Sequence, residues 1–130
     1  MRRDRSSVSV PKVAAKTVLI VDDHPAFRSA ARALLEGAGF AVVGEAADGT
    51  SALDAVRTLQ PEIVLLDVQL PDIDGFVVAD RLSAHEPTPA IVFTSSRSIA
   101  SLRWRLNSHP AWSFIAKNEL SGEALAALVG

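Results

Sequence analysis

Five short apolar runs, at 17–21, 40–46, 62–66, 89–94 and 111–117, alternate strictly with five stretches of helical periodicity, at 25–39, 48–61, 75–85, 98–108 and 120–130. A strand that is followed by a helix and then by another strand returns in the same direction, so the repeated unit builds a parallel sheet. Right-handed crossovers then distribute the helices over both faces. The runs TVLIV, EIVLL and AIVF are nearly continuous in apolar residues, as strands covered on two sides must be. The expected fold class is therefore α/β, a doubly wound five-stranded parallel sheet.

The helical stretches carry their own signals. In PAFRSAARALLEGAG the apolar set Phe27, Ala30, Ala31, Leu34 and Ala38 shares one face, with Arg28, Arg32 and Glu36 opposite. Pro25 suits the first helical position, and Gly37 or Gly39 the exit. In the second helix Asp48 is the expected cap, Leu53, Val56 and Leu59 the inward positions, and Pro61 the stop. Ser121 is placed to cap the last helix, where Leu120 can staple onto Leu125.

At 130 residues the chain suits one domain. Residues 1–16 hold Arg2, Arg3, Arg5, Lys12 and Lys16 against Asp4, whereas the rest has 8 basic and 14 acidic residues. The expected organisation is a flexible basic tail over 1–16 and a folded domain over 17–130. The acidic balance of the folded part argues against direct nucleic-acid binding. Cysteine is absent, which removes disulfides and thiolate metal sites and fits a cytoplasmic location. No run approaches the ~20 apolar residues of a membrane span, and the basic head has no signal-peptide core.

In parallel sheets ligands gather beyond the carboxyl ends of the strands. Here strand one ends in Asp22-Asp23, strand three in Asp67, strand four in Thr94-Ser95 and strand five in Lys117. Three carboxylates on one rim repel one another. A hard divalent cation such as Mg²⁺, with its oxygen ligands and retained waters, resolves this together with the lysine. A carboxylate placed there is a competent nucleophile toward an activated phosphoryl group. Asp72 and Asp74 read as turn formers in LPDIDG, and His24 as a helix starter beside the acid pair. His24, His85 and His109 show no metal-ligand spacing, and GAGFAVVG only approaches a dinucleotide loop.

The segments LIVDDHP, VLLDVQLPDIDGF, VFTSS and SFIAKNELS resemble the CheY-like receiver domain of bacterial two-component response regulators, over nearly all of residues 17–130. The resemblance implies a flavodoxin-like strand order 2-1-3-4-5. It implies that Asp67 is the phosphoacceptor for a sensor histidine kinase, and that Asp22, Asp23, Asp67 and the backbone carbonyl of Gln69 bind Mg²⁺. Thr94 and Lys117 would then contact the phosphoryl group, and Thr94 and Phe114 would act as the switch pair. The surface of the fourth helix, fifth strand and fifth helix would meet a downstream protein, or a second copy in a phosphorylation-dependent homodimer; otherwise the chain is a monomer. The implied role is that of a signalling module rather than a turnover enzyme.

The chain departs from the family pattern at Ser95, at Asn118 after the lysine, at HPAWSF before strand five, and in the stretch 98–108. Trp104 and Trp112 lie in or near that stretch with Arg97, Arg103 and Arg105, as core packing or as a partner surface. Three other readings compete. A receiver-like module without phosphate control keeps the fold alone. A haloacid-dehalogenase-like phosphatase wants its second acid two residues after the first, where this chain has His24. A flavodoxin-like electron carrier wants a hydroxyl-rich phosphate loop where this chain has DDHPA.

Overall fold

The computed structural model describes residues 15–96, 106 and 111–129. Its elements are β1 (Thr17–Val21), α1 (Pro25–Gly37), β2 (Ala41–Ala46), α2 (Gly49–Leu59), β3 (Ile63–Asp67), α3 (Gly75–Leu82), β4 (Ala90–Ser95), β5 (Trp112–Ala116) and α4 (Gly122–Val129), with a 3₁₀ turn at Lys117–Glu119. All strands pair in parallel, in the order β2-β1-β3-β4-β5. The expected fourth helical segment, with Arg97, Arg103, Trp104 and Arg105, lies outside the described residues apart from Leu106, as does the expected tail apart from Ala15 and Lys16.

The period of two along each strand divides the core. Leu19, Val21, Val64, Leu66, Ile91 and Phe93 pack with Ala52 and Val56 of α2 and Val78, Ala79 and Leu82 of α3. Val18, Ile20, Ile63, Leu65 and Val92 pack with Ala31 and Leu35 of α1 and Leu125 of α4. Both faces are thus covered, which is why the central strands read as unbroken apolar runs. Trp112 belongs to the first core, where its ring and those of Phe76 and Phe93 form a trio with centroids 4.5–5.9 Å apart. Its packing role is the one the structure bears out.

Most helix signals hold. Asp48 Oδ1 accepts from Ser51 N at 2.8 Å and Asp74 Oδ1 from Phe76 N at 2.7 Å. Ser121 Oγ accepts from Ala124 N at 3.0 Å, and Leu120 and Leu125 share one core. The chain leaves α1 through Gly39 at φ +98°, a conformation that favours glycine.

Two expected faces need correction. In α1 the inward stripe is Phe27, Ala31 and Leu35, while Ala30, Ala38 and Leu34 are exposed, Leu34 by 48%. Phe27 and Ala31 fix a phase that either leucine could continue, and the sheet takes Leu35. In α2 the stripe is Gly49, Ala52 and Val56 with Leu53 packed against the same core, as expected for Leu53 and Val56, but Leu59 stays 41% exposed in the last turn. Its methyl lies over Gly44, where an added Cβ would meet it at 2.7 Å.

On the β2 edge the register slips: Val18 faces Val42 but Leu19 faces Gly44. Val43 is the extra residue of this bulge. The same edge carries Glu45, which binds Arg28 Nε at 3.0 Å and Arg32 Nε at 2.7 Å from α1. The Arg32 hydrogen bond leads in holding the Glu45 carboxyl below its ordinary range, against the opposing effect of burial.

Candidate functional site

Four strand ends build one pocket. Asp22 follows β1 directly, and its backbone N–H donates to Ala46 O at 3.0 Å, so the residue is still locked to the sheet and is fully buried. Asp23, one residue on, faces outward with its side chain 37% exposed. Asp67 closes β3 and is buried. Thr94 pairs in register with Asp67 on the neighbouring strand, and its carbonyl accepts from Val68 N at 3.1 Å. Lys117 opens the 3₁₀ turn after β5 and reaches back across the rim.

The lysine joins the acids. Its Nζ lies 2.6 Å from Asp22 Oδ2 and 3.3 Å from Asp67 Oδ2. Burial opposes the Lys117 charge, but the hydrogen bond with Asp22 and the charges of both carboxylates prevail and hold the ammonium above its ordinary pKa. For Asp67 burial is the leading influence and raises the carboxyl above the usual range. The Gln69 N–H, which donates to Asp67 Oδ1 at 3.1 Å, and the lysine work against that rise, while Asp22 adds to it.

The expected residues therefore converge. Ligand atoms of Asp22, Asp23, His24 and Asp67 lie within 4.8 Å of one another. Gln69 stands beside Asp67 through its N–H. Phe114 does not line this cluster; it is half-buried on β5 against the α2/α3 core, next to the aromatic trio. Thr94 Oγ1 is buried and has no hydrogen-bond partner among the described residues. An unpartnered buried hydroxyl costs about 1–3 kcal/mol, so its persistence at this rim marks a place for an acceptor oxygen brought from outside. Three carboxylates supply hard oxygen donors, which suits Mg²⁺.

His24, expected beside the acid pair as a helix starter that could touch the site, does both: its Nδ1 lies 2.9 Å from Asp22 Oδ1 and 3.1 Å from Asp23 Oδ1. The sequence reading missed other neighbours. Arg28 Nη1 donates to the Asp22 carbonyl at 2.7 Å. Asp72 is more than a turn former: it accepts from Gly49 N at 2.8 Å, Thr50 N at 3.0 Å and Thr50 Oγ1 at 2.8 Å, tying the loop after β3 to the start of α2. The Gly49 bond leads in lowering its carboxyl pKa far below the usual range. Gly75 starts α3 so close to β3 that a Cβ would collide with the Asp67 carbonyl and the Val68 backbone. Only glycine lets β3 and α3 approach this way.

Comparison with known proteins gives a consistent family. The response regulator receiver domain matches residues 18–129. A transcriptional regulator of Pseudomonas aeruginosa is 39% identical over 110 residues, covering 85% of this chain and 53% of that one. A protein-glutamate methylesterase/protein-glutamine glutaminase of Anaeromyxobacter dehalogenans is 41% identical over 108 residues, 82% of this chain and 31% of its own. The chain spans about half the length of the first of these and a third of the second. Among solved structures, the signal receiver domain of NarL from Mycobacterium tuberculosis superposes with a TM-score of 0.77 at 27% identity, over 88% of this chain and 96% of that one.

Proposed function

The chain belongs to the family of response regulator receiver domains, and we propose that Asp67 is the carboxylate on which it takes up a phosphoryl group. One observation carries this reading: buried Asp67 shares Lys117 with Asp22 while the neighbouring Thr94 hydroxyl is buried and has no partner among the described residues. An ionised Asp67 oxygen attacks the phosphorus of the donor. The new O–P bond forms as the P–N bond of a phosphorylated histidine on a sensor kinase breaks, and the electron pair leaves with the imidazole, which then takes a proton from water. No general base is needed. The transition state is loose, so alignment and charge neutralisation dominate. Lys117 offsets the charge gathering on the transferred group, and Thr94 Oγ1 donates to one of its oxygens.

Asp22, Asp23, Asp67 and the Gln69 carbonyl are the groups that would hold Mg²⁺. A bound Mg²⁺ supplies further neutralisation of the phosphoryl oxygens. Receiver domains work with histidine kinases and downstream effectors. For this one, the added charge draws Thr94 inward and opens space beside β4 that the half-buried Phe114 ring can enter. The surface of β5 and α4 then meets a downstream protein or a second copy. This is a signalling module in the cytoplasm rather than a turnover enzyme. Among the described residues, no helix is long and apolar enough to cross a membrane.

The test is incubation with acetyl phosphate and Mg²⁺, read by intact mass. One phosphoryl group is expected on the wild type and none on Asp67→Asn. Label that persists in Asp67→Asn sinks the assignment.

A further inference from the structure

Besides the two carboxylates, the Lys117 ammonium has an aromatic neighbour. Its Nζ stands 4.7 Å from the centre of the Phe27 ring, with Asp22 Oδ2 at 2.6 Å and Asp67 Oδ2 at 3.3 Å. Phe27 comes from the first turn of α1, not from a strand end. Its ring is half-buried against the α1/α4 core, so its place is set by packing and not by the lysine. The ring face carries the negative end of the aromatic quadrupole and attracts a cation. It draws on no N–H donor in the ordinary sense, so the three donors of the ammonium stay available for oxygens.

We propose that Phe27 is a positioning residue for Lys117, an inference that rests on Asp67 as the acceptor. A lysine has a flexible stem and freely rotating donors. The ring stands over the ammonium at 4.7 Å, and the lysine side chain is only 15% exposed, so few orientations are left to it. As the Asp67 carboxylate gives up its charge to the new bond and the phosphoryl oxygens carry it instead, the ammonium turns from Asp22 toward the transferred group. A contact without fixed direction survives that turn, where a hydrogen-bond acceptor in the place of Phe27 would compete with the phosphoryl oxygens.

Two measurements test this on the full chain. In the NMR spectrum of the unphosphorylated wild type, the Lys117 methylene beside Nζ should be shifted upfield by the ring. That shift should vanish in Phe27→Leu and remain in Phe27→Tyr. In acetyl phosphate labelling with Mg²⁺, the limiting rate should fall about tenfold in Phe27→Leu and recover in Phe27→Tyr, with the half-saturating donor concentration changed less than about twofold. A labelled wild type whose Lys117 methylene is unshifted overturns the role of Phe27, as does a Phe27→Leu protein with the wild-type limiting rate or a change in half-saturation alone. A wild type that takes no label overturns the acceptor assignment instead and leaves the ring shift standing.

Discussion

Thr94 shows how a single side chain can be poor for stability and good for work. Among the described residues its buried hydroxyl has no partner, and valine has the same shape without that burden. Thr94→Val should raise stability by about 1 kcal/mol in urea unfolding while slowing uptake of label from acetyl phosphate. A variant that is less stable than the wild type would show that the hydroxyl is satisfied. Residues of this kind were legible in the sequence because each is a lone polar group at the end of an apolar run: Asp22, Asp67, Thr94, Lys117. The contact of Phe27 with Lys117 was not, because it depends on a side-chain rotamer on α1 and not on spacing along the chain.

Elements read well in kind and less well in phase. Leu34 and Leu35 are adjacent and chemically identical, so no pattern in α1 says which one faces Val18 and Ile20. The structure buries Leu35 completely and exposes Leu34. Leu35→Ala should cost about 3 kcal/mol, a loss of core packing, and Leu34→Ala no more than about 0.5 kcal/mol, both by chemical denaturation. Equal losses would mean a different roll of the helix. The tie from Asp72 to α2 was equally out of reach, since its partners Gly49 and Thr50 lie 23 and 22 positions back. Its pH signature is definite. The Asp72 pKa is depressed by folding, so its contribution is present above the unfolded-state value and is lost as pH falls through the folded one. Asp72→Asn should therefore lower Tm at neutral pH, and its deficit should shrink as pH drops below about 4. A deficit that stays constant down to strong acid would assign the loss to packing instead.

For the molecule as a whole, the parallel sheet and the coverage of both faces followed from the alternation of runs, whereas the order of the strands came only with the family resemblance. What could not be read was the stretch before β5, where LRWRLNSHPAW carries a poorer helical pattern than the other segments. The acid rim couples ligand binding to global stability. Mg²⁺ at about 100 times its Kd should add about 2.7 kcal/mol and raise Tm by a few degrees, an effect that EDTA reverses and Asp23→Asn weakens. An unchanged Tm would argue against cation binding by the rim. The slipped register at Val43, clasped from above by Arg28 and Arg32 through Glu45, has a consequence for life in a crowded cell. A straight lateral margin would invite a stranger's backbone to zip alongside and so seed fibres. The kink and its charged strap spoil that template, so this border can remain open without becoming adhesive.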